Sequence, residues 1–80
     1  MEMVNISGML SSGKLVGTTA IITLIQNNVV YDCYINSVRT PELFEKIKGM
    51  HYGTELSFSA TKTKCQYQSD MYKYIVQGEV

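Results

Sequence analysis

One break in a two-residue rhythm constrains this chain more than any other feature. Apolar and polar side chains alternate through "VNISGML" and "VVYDCYIN", and again through "GTELSFSATK" and "MYKYIVQGEV"; "RTPELFEKIKGM", residues 39–50, departs from that pattern. Period two is the mark of a strand with one buried face, and the helical period does not fit those runs. In the first strand Val4, Ile6, Gly8 and Leu10 share a face, with Asn5, Ser7 and Met9 on the other. "TTAIITLI" is dense in β-branched residues, which suit a pleated sheet and disfavour helix. Its outer face carries Thr19, Ile21, Thr23 and Ile25. In the third strand Val29, Tyr31, Cys33 and Ile35 point inward, and Val30, Asp32, Tyr34 and Asn36 outward. "QNN" joins these two strands as a hairpin, because Asn tolerates positive φ. Leu56, Phe58 and Ala60 form the inner face of the fourth strand, and Tyr72, Tyr74 and Val76 share a face of the fifth.

The exceptional stretch reads as a short helix, "PELFEKIK". Thr40 serves as N-cap, Pro41 fits the first helical position and Glu42 suits the positive end of the dipole. Leu43, Phe44 and Ile47 make one apolar stripe, Lys46 and Lys48 fall in the last turn, and Gly49 offers a left-handed stop. The predicted order is β-β-β-α-β-β in a single domain, residues 1–80, near the lower size limit for a core without staples.

Composition excludes several classes of function. Seven basic and seven acidic side chains give zero formal net charge, which argues against a surface that grips nucleic acid all round. No apolar run is long enough to span a bilayer, and no basic segment leads into an apolar one, so a cytoplasmic protein without membrane contact is expected. Cys33, Cys65 and His51 are too few soft ligands for a zinc site, and no metal is expected. Both cysteines read as reduced thiols, with a disulfide between them left open. No acid–base pair or nucleophile constellation is visible, so neither catalysis nor a cofactor is expected.

"GMLSSGKL" comes within one residue of a nucleotide-binding loop. Gly8, Gly13 and Lys14 stand at the phosphate-cradling spacing, but Leu15 occupies the position of the metal-binding hydroxyl. Such a loop must also run directly into a helix, whose N-terminus faces the phosphates. Here Gly17 and a β-branched run follow instead. The stretch "SSGKLVG" is therefore expected to be a loop joining the first two strands.

Three strands, a short helix and two strands resemble the OB-fold, a five-stranded Greek-key barrel of the mainly-β class. The likeness covers the whole chain and rests on element order, on Gly8 in mid-strand, on the helix between strands 3 and 4, and on the glycine of "MHYGTELSF" ahead of strand 4. An SH3-like barrel is the alternative, disfavoured by that helix. The resemblance implies a single-strand nucleic-acid site on strands 2 and 3, flanked by the loops "LSSGKLVG" and "TKTKCQYQSD". On that basis Lys14, Lys62 and Lys64 are candidate phosphate contacts and Tyr34 and Tyr67 candidate stacking platforms, with Arg39 and Lys73 widening the patch. Residues 59–74 carry three lysines against Asp70 alone, and Asp32 beside Tyr34 opposes phosphate binding there.

Each lysine is also an ordinary solvating charge that keeps strand edges apart. A second reading makes the chain a protein-interaction module, either a homo-oligomer or part of a larger assembly. It rests on Ile21 and Ile25, which put apolar surface on the outer face of strand 2. Single-stranded nucleic acid, DNA before RNA, is the favoured partner.

Overall fold

A computed structural model describes residues 2–64 and 72–80. Its elements are β1 (Glu2–Val16), β2 (Thr19–Gln26), β3 (Val29–Asn36), α1 (Pro41–Lys48), β4 (Glu55–Lys64) and β5 (Tyr72–Glu79). The strands close into a barrel in the order β1-β2-β3-β5-β4, and β4 returns to β1. All neighbours are antiparallel except β3 and β5, which run parallel where Cys33 meets Tyr74 and Tyr34 meets Ile75.

Closure depends on β1 serving two partners in succession. Glu2–Met9 pair with β4, and Met9–Val16 pair with β2. The handover is marked by a bulge between Leu10 and Ser12, which bends the strand. Just before it, Gly8 lies so close to β2 that an added Cβ would stand 2.9 Å from the carbonyl oxygen of Ile25. Only glycine allows that approach.

The expected loop "SSGKLVG" is strand instead. Ser12, Gly13, Lys14, Leu15 and Val16 each find a partner on β2, and the connection shrinks to Gly17 and Thr18, with Gly17 at φ +60°. Small residues and a lysine read as loop by local preference. A β-branched neighbour strand overrides that preference, because strand propensity is set largely by cross-strand context. The nucleotide-loop spacing of Gly8, Gly13 and Lys14 therefore lies along an extended strand. The β2–β3 turn is as expected, with Asn27 at φ 52° and Asn28 at φ 65°.

Alternate residues fill the barrel. Phe58, Leu24, Ile35, Val76 and Cys33 are fully buried, and Leu43, Phe44 and Ile47 of α1 pack onto the same cluster. Two residues expected to face inward do not reach it. Val29 and Tyr72 keep the inward phase but stand at the starts of their strands, where they are exposed. Gly49 is not left-handed (φ −100°). The helix ends by tightening: the Gly49 N–H donates to the Lys46 carbonyl at 3.2 Å, and the Met50 N–H to that of Ile47 at 3.1 Å. The Thr40 hydroxyl makes no cap; it donates back to the Asn36 carbonyl at 3.2 Å.

Two glycine substitutions separate backbone crowding from ordinary propensity. Gly8→Ala is expected to cost roughly 1–3 kcal/mol, the range for overpacking, because the neighbour is backbone and cannot step aside. Gly78→Ala, with nothing within 4 Å of its Cβ, is expected to change stability by no more than about 0.5 kcal/mol. Urea unfolding of the two variants checks the difference.

Candidate functional site

Directly opposed residues on neighbouring strands share a face, so the strand register places the candidate residues without further assumption. Lys14 opposes Ile21, Ile21 opposes Tyr34, and Tyr34 lies beside Ile75. A lysine, an isoleucine, a tyrosine and a second isoleucine thus form one row across the outside of β1, β2, β3 and β5. Thr23 and Asp32 form the next row, and the Thr23 hydroxyl donates to the Asp32 carboxylate at 3.3 Å.

Tyr34 is the centre of a shallow cleft of about 520 Å³ lined by Thr19, Tyr34, Asn36, Val38, Arg39, Lys73 and Ile75. The Lys73 ammonium lies 5.5 Å from the centroid of the Tyr34 ring, within cation–π range. Arg39 arrives from the turn after β3, and Asn36 shapes that turn. The Asn36 side-chain oxygen accepts from the N–H groups of Val38 (2.8 Å) and Arg39 (3.2 Å), and its backbone carbonyl accepts from Thr40 N–H at 2.9 Å. Asparagine favours such turns because its side chain mimics a backbone carbonyl. Arg39, from the turn that follows Tyr34, and Lys73, from far along the sequence, are gathered beside the Tyr34 ring in one cleft.

The remaining lysines go elsewhere. Lys62 and Lys64 lie on β4 itself, in the inward phase of Leu56, Phe58 and Ala60 but past the end of the core. With Glu2, Thr63 and Tyr72 they line a separate open cleft of about 600 Å³. Lys62 stands 4.3 Å from the centroid of Tyr72 and directly opposes Glu2. Beside them the rings of Tyr31 and Tyr74 meet edge to face, with centroids 5.3 Å apart. Burial pushes the Tyr74 phenol above its ordinary value, and the charge of Lys62 opposes that shift. Tyr67 and Cys65 lie outside the described residues.

Ile21 and Ile25 do face outward, as expected. Ile25 also belongs to a row that sequence alone does not assemble: Met9 opposes Ile25, and Ile25 opposes Val30. All three are exposed. Ile75 and Val38 are likewise new at the Tyr34 cleft. The alternation of β5 already turns Ile75 outward with Lys73, but only the parallel β3–β5 pairing sets it beside Tyr34. Among the described residues no group of His, Cys, Asp and Glu is placed to hold a metal ion.

The strand order, the parallel β3–β5 contact and the helix between β3 and β4 together decide the architecture. The fold is an OB barrel. Solved structures agree: asparaginyl-tRNA synthetase from Pyrococcus horikoshii, complexed with asparaginyl-adenylate, matches with a TM-score of 0.85 at 13% identity over 99% of this chain. A second structure of that enzyme gives a TM-score of 0.86, also at 13% identity and over 99% of this chain. The OB chain spans 20% of the synthetase chain in each case, and at this identity the likeness is one of fold. No family model and no curated protein sequence matches the chain.

Cys33 is a free, fully buried thiol, and burial followed by the negative charge of Asp32 pushes its pKa up from 9.0 to about 12. It is therefore expected to resist iodoacetamide at pH 8 in the native protein and to react once the chain is unfolded in urea, as read by peptide mass. The sign of the linked stability follows from the raised value. Between pH 9.0 and about 12 the unfolded chain has lost this proton while the folded chain keeps it, so stability falls as pH rises through that window. Cys33→Ala is expected to make the alkaline decline shallower.

Proposed function

We propose that this barrel is a non-catalytic module that binds single-stranded nucleic acid, DNA before RNA, and serves replication, recombination or repair in the cytoplasm. One observation carries the reading: the Lys14–Ile21–Tyr34–Ile75 row, with Arg39 and Lys73 beside Tyr34, combines an aromatic face with cations on either side. Sequence-tolerant single-strand sites need that combination, since every base has a π-face to stack and every phosphate a charge to neutralise. A base stacked at Tyr34 leaves its flanking phosphates within the reach of long side chains, with Lys14 on one side and Lys73 and Arg39 on the other. Support also comes from the OB architecture, whose β2–β3 face serves oligonucleotides and oligosaccharides in many proteins, and from the fold neighbour, which is a tRNA synthetase.

Lys62 and Lys64 take a lesser part in this reading. Their cleft lies at the barrel end, and Glu2 offsets Lys62 within it. Asp32, hydrogen-bonded to Thr23, keeps phosphates away from the next row and so favours one line of approach over the face. A second reading, self-association or docking onto a larger assembly, draws on the exposed Met9–Ile25–Val30 row, which is separate from the Tyr34 cleft.

Fluorescence anisotropy with labelled mixed 20-mers tests the first reading. Tyr34→Ala is expected to weaken binding by about 1–3 kcal/mol with little change in salt dependence, the loss of one stacked base. Lys14→Ala combined with Lys73→Ala is expected to flatten the slope of log affinity against log salt by about 1.4, at about 0.7 per phosphate contact. Wild-type protein that fails to bind at low salt contradicts the proposal. Light scattering tests the second reading: Ile25→Thr with Val30→Thr is expected to reduce the mass of an oligomer formed through this row.

A further inference from the structure

Among the described residues, one stretch of strand edge has no neighbour. β4 pairs only with Glu2–Met9 of β1, so Ser11–Val16 hold β2 on one side and, among the described residues, no strand on the other. Among the described residues Leu10 is the last of β1 with backbone partners outside β2: its N–H donates to the Thr54 carbonyl at 2.9 Å, and its carbonyl accepts from Gly53 N–H at 2.8 Å. Beyond it, every second peptide unit of Ser12–Val16 presents its N–H and C=O away from β2. Such an edge is a template for another strand.

The same edge borders an apolar cleft. Leu10, Leu15, Ala20 and Ile22 line its sheet side, and Ile47, Met50 and Tyr52 its opposite wall, around a volume of about 330 Å³. Leu15 continues the inward phase of β1 past the end of the core and is left 58% exposed at the lip of the groove. Gly13, Lys14, Lys48 and His51 complete the lining, and no carboxylate side chain takes part in it. Lys48 is shared with Glu45 of its own helix at 3.0 Å.

We infer that this edge and cleft form a docking site for an extended acidic peptide that adds to β1 as a strand. Pairing along Ser12–Val16 satisfies the open peptide groups. Alternate side chains of the added strand drop into the cleft against Leu15, Ile22, Ile47 and Met50. The intervening side chains face outward with Lys14. Apolar residues alternating with Asp or Glu therefore match both the pleat and the charge of the rim. A second copy of this chain fits less well, because two-fold pairing of so short an edge brings the two Lys14 side chains together. An edge lysine of this kind opposes self-pairing while leaving the edge open to an acidic strand. The cleft shares no lining residue with the Tyr34 cleft, but Lys14 belongs both to its rim and to the outer row through Tyr34.

The probe is a fluorescein-labelled octapeptide alternating valine and glutamate, compared with one alternating valine and lysine. Saturable anisotropy is expected for the glutamate peptide, with the lysine peptide weaker by at least about tenfold. Leu15→Glu sets a like charge on the lip at an exposed position and is expected to weaken the glutamate peptide by at least about tenfold. Bound peptide is also expected to slow hydrogen exchange at alternate amides of Ser12–Val16. The inference is overturned by absence of saturation at millimolar peptide, by equal affinity for the two peptides, or by an unchanged exchange pattern at this edge. It is also overturned if the free protein is a dimer that Leu15→Glu converts to monomer, since a second copy would then be the occupant.

Discussion

The close pass of β1 over β2 at Gly8 is the contact on which the rest of the molecule depends. A side chain there would place its first carbon 2.9 Å from the Ile25 carbonyl oxygen, against backbone that has no freedom to withdraw. With glycine in place, β1 can leave β4 at Met9, bulge between Leu10 and Ser12, and take up β2 without a gap in the ladder. One strand thereby belongs to both sides of the barrel. Without that handover β4 and β2 would each end at an open edge, and the core around Phe58 and Leu24 would lose a wall.

The outer face follows from closure. Because the second half of β1 lies against β2, Lys14 is carried out of an apparent loop and onto a strand, opposite Ile21 and in line with Tyr34. Because β5 enters between β3 and β4, Ile75 and Lys73 arrive beside Tyr34 from the far end of the sequence. The charges of Lys14 and Lys73 thus reach Tyr34 through strand order, in a chain whose formal net charge is zero. The price of the same geometry is a stretch of β1 that, among the described residues, has a strand on one side only, where it has outrun β4 and leaves Leu15 and Val16 exposed.

Much of this was legible in the residues. The alternation that buries Cys33 and Ile35 turns Tyr34 outward, and the stripe of Leu43, Phe44 and Ile47 places α1 on the core; both are local signals of period and hold in the structure. The paired asparagines at 27 and 28 state their turn type through their tolerance of positive φ. The failures arise where a neighbour outweighs local preference. Ser12–Leu15 look like loop until β2 is set beside them, and Gly49 looks like a left-handed stop although the last turn of α1 closes by shorter hydrogen bonds. The fold resemblance groups Lys62 and Lys64 with Tyr34 because it treats their segment as a flanking loop. The structure continues β4 through both, so they point along the barrel end, toward Tyr72 and Glu2. Nothing local in "SATKTK" distinguishes these outcomes, because the difference lies in how far the pairing with β1 and β5 extends.

The central claim is that single strands lie across the outer row through Tyr34. Amide chemical shifts followed during titration with a short oligothymidylate test it most directly, since they report where the ligand sits regardless of affinity. The account predicts that the largest changes fall at Ile21, Tyr34, Arg39, Lys73 and Ile75, with smaller ones at Lys14 and little change at Leu15 or Tyr52. Shifts confined to the barrel end around Lys62 and Tyr72, or no shifts at low salt, would contradict it.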